Sequence, residues 1–315
     1  MREQRARARP PSARRARMDR EEDVELPKVR LHVRRLGTGP PLFLLHGGPA
    51  AGHDYFLPSL EPLGATRELV LFDQRGCGRS GDPVDDRYDL RSLVDDTEQL
   101  RRRLGFGPID LLGHSAGGPL ALEHALRYPR SVRRLVLSST FFSQRQVDRS
   151  LEFVRSMAPA RVRRVLDRFE QGTRVRASSS GYPEAYAKAV SEAYAPFSFQ
   201  RRGPEARRVE GLLASLRFST FRRMWGDRGD FRISGAYEGW NALPYLPRIR
   251  TPTLITLGSR DLVSVEDAWN ASELLPRARV VVFERSGHYP FLEERAKFLR
   301  ILSDFLSDRP VRAGR

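Results

Sequence analysis

The sequence predicts an α/β fold in which helices cover both faces of a mainly parallel sheet and a helical cap is inserted between core strands. Short apolar runs, such as 42–45, 109–112 and 253–257, have the length and composition of buried strands. Each of them leads into a loop that contains glycine. The stretch 141–243 contains no such run, and its apolar residues recur instead at helical spacing, as in 151–157 and 162–169. A break is expected at 178–181, and a further helix over 182–196.

The first of these strands, 42–45, opens into the sequence His46-Gly47-Gly48-Pro49. In serine hydrolases, a glycine-rich loop after a core strand supplies one of the two backbone N–H groups that bind the oxyanion of a tetrahedral intermediate. Gly48 is the candidate donor. The alternative is a plain turn, because glycine followed by proline also marks loops that have no catalytic role.

The second strand, 109–112, leads into the pentapeptide Gly-His-Ser-Ala-Gly at 113–117, and a helix-like run follows. Strand, turn and helix in this order are the context that a nucleophile elbow requires. Its glycines allow the strand and the helix to approach closely while the serine adopts a strained backbone conformation. We therefore predict that Ser115 is a nucleophile and that the N–H of Ala116 is the second oxyanion donor.

A serine hydroxyl is a poor nucleophile at neutral pH, so it needs a histidine base and an acid that orients the histidine. In α/β-hydrolases these residues follow in the order serine, acid, histidine. Asp261 follows the strand 253–257, and His288 follows the strand 280–283 through a loop that contains glycine. We predict a triad of Ser115, Asp261 and His288. The alternatives are an aspartate that only caps the next helix and a histidine without a chemical role.

Composition excludes several other classes of protein. No H-E-x-x-H or C-x-x-C sequence is present, so the sequence implies no metal and no cofactor. No apolar run approaches the ~18 residues that would span a membrane, so no membrane partner is expected. The single cysteine, Cys77, excludes an internal disulfide and fits a reducing compartment, which predicts a cytoplasmic location.

The net charge of +16 raises the possibility of nucleic-acid binding. Much of this excess is local, because residues 1–20 contain eight arginines and only two acidic residues. Such a segment cannot bury apolar area, and we predict a disordered tail. The remaining charge is spread along the chain without a nucleic-acid-binding motif, so no specific nucleic-acid partner is expected. The oligomeric state is not indicated by the sequence.

The predicted organisation follows from these observations. It consists of a basic tail at 1–20, a first core segment at 21–140, a helical cap at 141–243, a second core segment at 244–308 and a C-terminal tail at 309–315.

Several motifs together resemble the signature series of the proline iminopeptidase family of α/β-hydrolases, which includes the tricorn-interacting aminopeptidases. They are the loop at 46–49, the sequence His-Asp-Tyr at 53–55, the octapeptide Asp-Gln-Arg-Gly-Cys-Gly-Arg-Ser at 73–80 and the elbow. The resemblance covers roughly 29–140 and 231–308. It implies an α/β-hydrolase fold, the triad and oxyanion roles given above, and a structural position for the octapeptide cysteine.

The resemblance also implies a substrate, namely a short peptide that loses its N-terminal residue. Relatives that act in this way hold the substrate's α-ammonium with acidic side chains, since a desolvated cation needs an opposite charge. Asp230 matches the place of one such acid, but the second acid of the tricorn-type members is replaced here by Leu262. Ala116 stands where these aminopeptidases often carry an aromatic residue. Hydrolysis of a small carboxylic ester therefore remains the alternative, and a non-catalytic binding protein on the same fold is a more distant one.

Overall fold

The computed structural model describes residues 19–170, 181–201, 203–214 and 216–311. Within them a single sheet of eight strands has the spatial order β1-β2-β4-β3-β5-β6-β7-β8. The strands β1 and β2 pair antiparallel, as do β2 and β4, and all the other pairs are parallel. The strands are Asp19–Glu25 (β1), Arg30–Gly37 (β2), Pro41–Leu45 (β3), Glu68–Phe72 (β4), Ile109–His114 (β5), Val132–Ser138 (β6), Thr253–Gly258 (β7) and Ala278–Phe283 (β8).

Helices connect the parallel strands. The α-helices are Leu57–Leu60 (α1), Leu90–Arg103 (α2), Gly117–Arg127 (α3), Gln144–Met157 (α4), Ala160–Glu170 (α5), Glu184–Ser198 (α6), Pro204–Ala214 (α7), Phe218–Met224 (α8), Val265–Leu274 (α9), Pro290–Glu293 (α10) and Arg295–Leu306 (α11). Short 3-10 segments lie at His53–Phe56, Glu61–Ala65, Pro129–Ser131 and Leu243–Arg248. Side-chain caps begin three of the helices, because Asp89, Ser143 and Ser264 each accept a hydrogen bond from the backbone N–H three residues later.

The central strands are apolar on both faces because both faces are covered. Every residue of β5 is buried. One face packs against α2, α3 and α9, and the opposite face packs against α1, α10 and α11. Burial on both faces is why these strands read as continuous apolar runs. The predicted fold, a mainly parallel sheet with helices on both faces, is confirmed.

Between β6 and β7, the described residues form five α-helices, α4 to α8, which make up the cap. The helical spacing at 151–157 and 162–169 corresponds to parts of α4 and α5, and the helix expected over 182–196 corresponds to α6. A break is expected at 178–181, and its residues 178–180 lie outside the described part of the chain. The domain boundaries given above stay predictions.

A basic tail is expected over 1–20. Its residues 1–18 lie outside the described part of the chain, but Asp19 and Arg20 belong to β1. Asp19 pairs in register with Leu36, and its carboxylate accepts hydrogen bonds of 3.0 and 2.9 Å from the Arg34 guanidinium. The strand therefore begins two residues before the predicted boundary. In the sequence, the charged residues at the start of β1 show no apolar alternation, so they cannot be distinguished from a charged tail.

The described part of the chain contains no helix that combines the length and the apolar character needed to cross a bilayer.

A buried ion pair ties the octapeptide loop to α2. The Arg75 guanidinium donates to both carboxylate oxygens of Asp96, at 2.6 and 2.7 Å, and both residues are only 2% exposed. Arg75 also donates to the carbonyl of Arg87 at 2.7 Å. The only other acidic side chain paired with Arg75 among the described residues is the partly exposed Asp85, at 3.5 Å, so loss of Asp96 removes the buried counter-charge.

We expect Asp96→Asn to lower the free energy of unfolding by up to about 3–5 kcal/mol, because Arg75 loses its buried, bidentate partner and keeps only the partly exposed Asp85. Asp19→Asn is the control, since it removes a carboxylate from an exposed pair and should cost at most about 1 kcal/mol. Urea denaturation followed by circular dichroism measures both values. Equal losses in the two variants would contradict the structural role of the buried pair.

Candidate active site

Ser115 lies in the sharp turn between β5 and α3. Its φ of +52° is in the left-handed region, which costs a residue with a Cβ roughly 1–3 kcal/mol. Hydrogen bonds to the end of β6 hold this conformation, because Ser115 N donates to the Ser138 carbonyl at 3.0 Å and Thr140 Oγ1 donates to the Ser115 carbonyl at 2.7 Å. The strain that the elbow motif predicts is therefore present and is supported from the neighbouring strand.

The loop after β3 passes directly beside the elbow, with no room for additional side chains. A Cβ added to Gly47 would lie 2.7 Å from the Ser115 Cβ, and one added to Gly117 would lie 2.2 Å from the Leu45 carbonyl oxygen. Both distances are far below van der Waals contact, so these two positions require glycine. The approach brings Gly47, the residue before Gly48, against the serine.

The structure brings the three predicted catalytic side chains together. His288 Nε2 lies 2.9 Å from Ser115 Oγ, and His288 Nδ1 lies 2.7 Å from Asp261 Oδ1. Both distances are hydrogen bonds. The Asp261 side chain is fully buried, and its Oδ1 also accepts a 3.1 Å hydrogen bond from Val263 N. This arrangement can hold one histidine tautomer and accept a proton from the serine.

The backbone N–H groups of Gly48 and Ala116 are the oxyanion donors that the sequence predicts. Within the described residues, neither Gly48 N nor Ala116 N donates a hydrogen bond to another protein group. Ala116 is the N-cap residue of α3, so its N–H lies at the start of a helix that follows the serine directly. Unpaired N–H groups at this place are available to a substrate oxygen.

A hydrogen-bond network beneath the three side chains was not predicted from the sequence. Tyr55 Oη accepts from Gly47 N at 2.7 Å and lies 2.9 Å from His114 Nδ1. His114 Nε2 in turn lies 3.0 Å from the His288 carbonyl. Burial lowers the pKa of His114, and the neutral ring with its proton on Nε2 satisfies all three contacts. The network therefore connects the loop at 46–49 after β3, called the β3 loop below, to the loop after β8 that carries His288, called the histidine loop.

The octapeptide 73–80 supports the loop at 46–49. Gln74 N donates to His46 Nε2 at 3.0 Å, and Gln74 Nε2 donates to the His46 carbonyl at 2.8 Å. Asp73 accepts from His53 N at 2.9 Å and from Arg79 N at 2.8 Å. These contacts give the octapeptide a structural position below the loop.

The cap contacts the histidine loop through α6 and the segment that follows it. His288 N donates to the carbonyls of Phe197 and Ser198, at 2.9 and 3.1 Å. Glu293 Oε2 accepts from Gly287 N at 2.7 Å, and its Oε1 accepts from Gln200 N at 2.7 Å. One carboxylate therefore joins the histidine loop to the cap. Glu293 has no motif around it that the sequence analysis could have used.

Asp230 follows α8 in the last part of the cap. Its backbone N donates to Tyr186 Oη at 2.9 Å, and its carbonyl accepts from Trp225 Nε1 at 3.0 Å. Burial, and secondarily the negative charge of Glu170, raise the pKa of Asp230 to about 7. Among the described residues, no basic side chain forms an ion pair with the Asp230 carboxylate. The site is thus a partly buried carboxylate that has no counter-charge among the described side chains, and Glu170 was not identified from the sequence.

Other residues singled out by the sequence lie apart from this chemistry. Leu262, which directly follows Asp261, packs against the hydrophobic core. Cys77 is fully buried, and its Sγ lies 3.5 Å from the Arg75 carbonyl. Among the residues that the structure describes, no three His, Cys, Asp or Glu side chains are grouped to hold a metal ion.

Comparison with known proteins gives concordant matches. The family defined by the alpha/beta hydrolase fold matches residues 40–295. A proline iminopeptidase of Saccharolobus solfataricus is 32% identical over 274 residues, which is 86% of each chain. The crystal structure of VinJ has a TM-score of 0.81 and 27% identity, and covers 96% of this chain and 100% of its own. That of the proline iminopeptidase of Mycobacterium smegmatis has a TM-score of 0.77 and 25% identity, with coverages of 92% and 98%.

We expect Cys77 of the native protein to resist thiol reagents. Its side chain is fully buried, and burial raises the pKa of the thiol, so the reactive thiolate is scarce and inaccessible. Absorbance after addition of Ellman's reagent should show no release of thionitrobenzoate until the protein is unfolded in guanidinium, where one equivalent per chain should appear. Reaction of the native protein at the rate of a free thiol would contradict this environment for Cys77.

Proposed function

Because the chain belongs to the proline iminopeptidase family of alpha/beta hydrolases and is therefore a hydrolase, we propose that it is a serine aminopeptidase that removes the N-terminal residue from small peptides. The observation that carries the proposed chemistry is the pair of hydrogen bonds that connects Ser115, His288 and Asp261. The observation that supports the substrate class is the partly buried carboxylate of Asp230, which forms no ion pair with a basic side chain of the described residues.

In the proposed mechanism, His288 Nε2 takes the proton of the Ser115 hydroxyl as the oxygen attacks the substrate carbonyl. Asp261 holds the histidine tautomer and stabilises the imidazolium. The N–H groups of Gly48 and Ala116 bind the oxyanion of the tetrahedral intermediate. The imidazolium then protonates the leaving amine, and water hydrolyses the acyl-enzyme with His288 as the base.

The geometry of the cap supports recognition of a free amino terminus. The helix α6 contacts the Asp230 backbone through Tyr186 and the His288 loop through Phe197. One rigid element therefore holds the cap carboxylate and the proposed base. An ammonium ion next to Asp230 would supply the opposite charge that this carboxylate lacks. The proteins named proline iminopeptidase among the relatives support the same class of substrate.

A carboxylic ester is the second candidate substrate, and Leu262 is the observation that favours it. An apolar side chain follows Asp261 here, where the tricorn-type members carry a second acid. An ester without an amino group would have no need of either acid. Both candidates use the same triad and the same acyl-enzyme.

The proposed partner is a short peptide or another small molecule, and the proposed location is the cytoplasm. A single buried cysteine fits a reducing compartment. The expectation that the chain binds no specific nucleic acid stays a prediction.

Ser115→Ala should reduce turnover by about 10⁴-fold or more, because the covalent route disappears. Ser139→Ala is a matched control, since Ser139 is also a buried serine with a left-handed φ, of 49°, beyond the end of the adjacent strand β6. Its turnover should stay near that of the parent. Initial rates with H-Pro-naphthylamide and a p-nitrophenyl ester measure both variants, with circular dichroism to verify folding. A folded Ser115→Ala protein with activity within about tenfold of the parent would rule out the triad.

Asp230→Asn should lower kcat/KM for H-Pro-naphthylamide by about 10- to 100-fold, since a charge-assisted contact to the ammonium is worth roughly 1.5–3 kcal/mol. The same variant should leave the hydrolysis of an uncharged p-nitrophenyl ester almost unchanged. Glu238→Gln, which neutralises an exposed acid of the same region, is the control and should affect neither substrate. Equal effects of Asp230→Asn on the two substrates, or none on either, would favour the esterase.

A further inference from the structure

Three cap residues surround Asp230 and have no role in the mechanism described above. Arg155 of α4 donates from Nη1 to Glu170 Oε2 and from Nη2 to Asp167 Oδ1, the latter at 2.6 Å. Tyr186 of α6 donates to Glu170 Oε1 and accepts from Asp230 N. A continuous chain of hydrogen bonds therefore runs from Arg155 through Glu170 and Tyr186 to the backbone of Asp230.

Arg155 forms ion pairs with both Glu170 and Asp167, whereas Asp230 has no basic partner among the described residues. Glu170 and Arg155 have side-chain exposures of only 11% and 27%, whereas Asp167 is 56% exposed and therefore well screened by solvent. Arg155 thus compensates Glu170 inside the cap, and Asp230 keeps a negative charge that the protein does not compensate. The Arg155 guanidinium also lies 5.9 Å from the ring centroid of Phe231, the residue after Asp230.

The other groups around Asp230 are mostly phenols. Tyr182 and Tyr194 both experience its negative charge, which contributes to raising the pKa of each phenol. The Tyr182 hydroxyl is buried and has no hydrogen-bond partner among the described residues. Arg222 and Asp227 lie close enough to act on Tyr182 with opposite signs. These phenols can donate hydrogen bonds to a carboxylate but do not neutralise it at physiological pH.

We propose that Arg155, Glu170 and Tyr186 are positioning residues of the Asp230 site. Tyr186 holds the backbone of Asp230 beside Glu170. The opposite charges of Glu170 and Arg155 together set the pH above which Asp230 is ionised and binds an ammonium substrate. The substrate part of this inference rests on the proposed function. The charge part concerns Asp230 itself and holds for any substrate.

The sign of each effect follows from electrostatics. Asp230 binds a cation only as a carboxylate, so aminoacyl substrates lose affinity as the pH falls through the pKa of Asp230, which lies at about 7. Neutralising Glu170 removes a like charge and makes ionisation of Asp230 easier. Neutralising Arg155 leaves Glu170 uncompensated and makes ionisation harder. The two substitutions therefore act in opposite directions.

The experiment measures kcat/KM between about pH 5 and pH 9 for H-Pro-naphthylamide and for an uncharged p-nitrophenyl ester. In the profile of the aminoacyl substrate, Glu170→Gln should move the acid limb to lower pH, and Arg155→Met should move it to higher pH, each by about one pH unit. Arg155→Lys retains the charge and should restore the parent profile. The ester profile reports the titration of the triad alone, so it should stay in place in all three variants.

Tyr186→Phe tests the positioning part. The loss of its hydroxyl releases Asp230 N and Glu170 together, so KM for the aminoacyl substrate should rise at every pH while kcat and ester hydrolysis stay near the parent values. Shifts of the acid limb in the same direction for Glu170→Gln and Arg155→Met, no shift in either, or equal shifts with the ester would overturn the proposal.

A direct titration keeps the charge part separable from the proposed function. In protein carrying ¹³C at aspartate Cγ, the Asp230 resonance is assigned by its loss in Asp230→Asn, and its pH titration is followed in the Glu170 and Arg155 variants. If the Glu170 and Arg155 variants shift the Asp230 titration in opposite directions but the protein hydrolyses only esters, the result would support the charge arrangement and reject the proposed aminopeptidase function. A titration that does not respond to either substitution would overturn the charge arrangement, whatever the protein hydrolyses.

Discussion

The absence of side-chain space around Ser115 is the constraint on which the site depends. The β3 loop reaches the elbow only because Gly47 and Gly117 have no Cβ, and the serine adopts a left-handed conformation in the gap that remains. Its strain is balanced by hydrogen bonds to the end of β6. Because strands β3, β5 and β6 are adjacent and parallel, their carboxyl ends meet at one edge of the sheet. The proposed nucleophile and both proposed oxyanion donors therefore share that edge.

Below this edge, polar groups lie among packed aromatic rings, and each of them joins two loops. His114 and Tyr55 connect the β3 loop to the His288 loop, and Glu293 connects the His288 loop to the cap. Buried polar groups are stable only when they are satisfied, so a shift of one loop would leave donors of the other loop unpaired. This coupling explains how residues from three distant parts of the chain maintain hydrogen-bond distances.

The core places the proposed catalytic side chains, and the cap contributes the charged group proposed to bind the substrate, Asp230. Its many arginines face acidic partners at the surface, but Asp230 is left without a cation beside the compensated pair of Glu170 and Arg155. A carboxylate that is partly removed from water and has no counter-charge is costly to keep ionised. A substrate cation would remove the cost on binding, which links the uncompensated charge to the proposed preference for a free amino terminus.

The sequence by itself determined the parallel core and the identity of Ser115, Asp261 and His288 as candidates, because strands buried on both faces leave continuous apolar runs and the elbow leaves a local glycine pattern. It did not reveal that Asp19 starts an edge strand, because a charged edge and a charged tail look alike. It also did not reveal Glu170 or Arg155, or the roles of Tyr55 and His114 in bridging the loops. These residues act through contacts between segments far apart in the chain, as between His114 and His288, and such contacts leave no local periodicity or spacing to read. Only the tertiary structure decided which polar groups are buried together, since burial and pairing depend on how the elements pack.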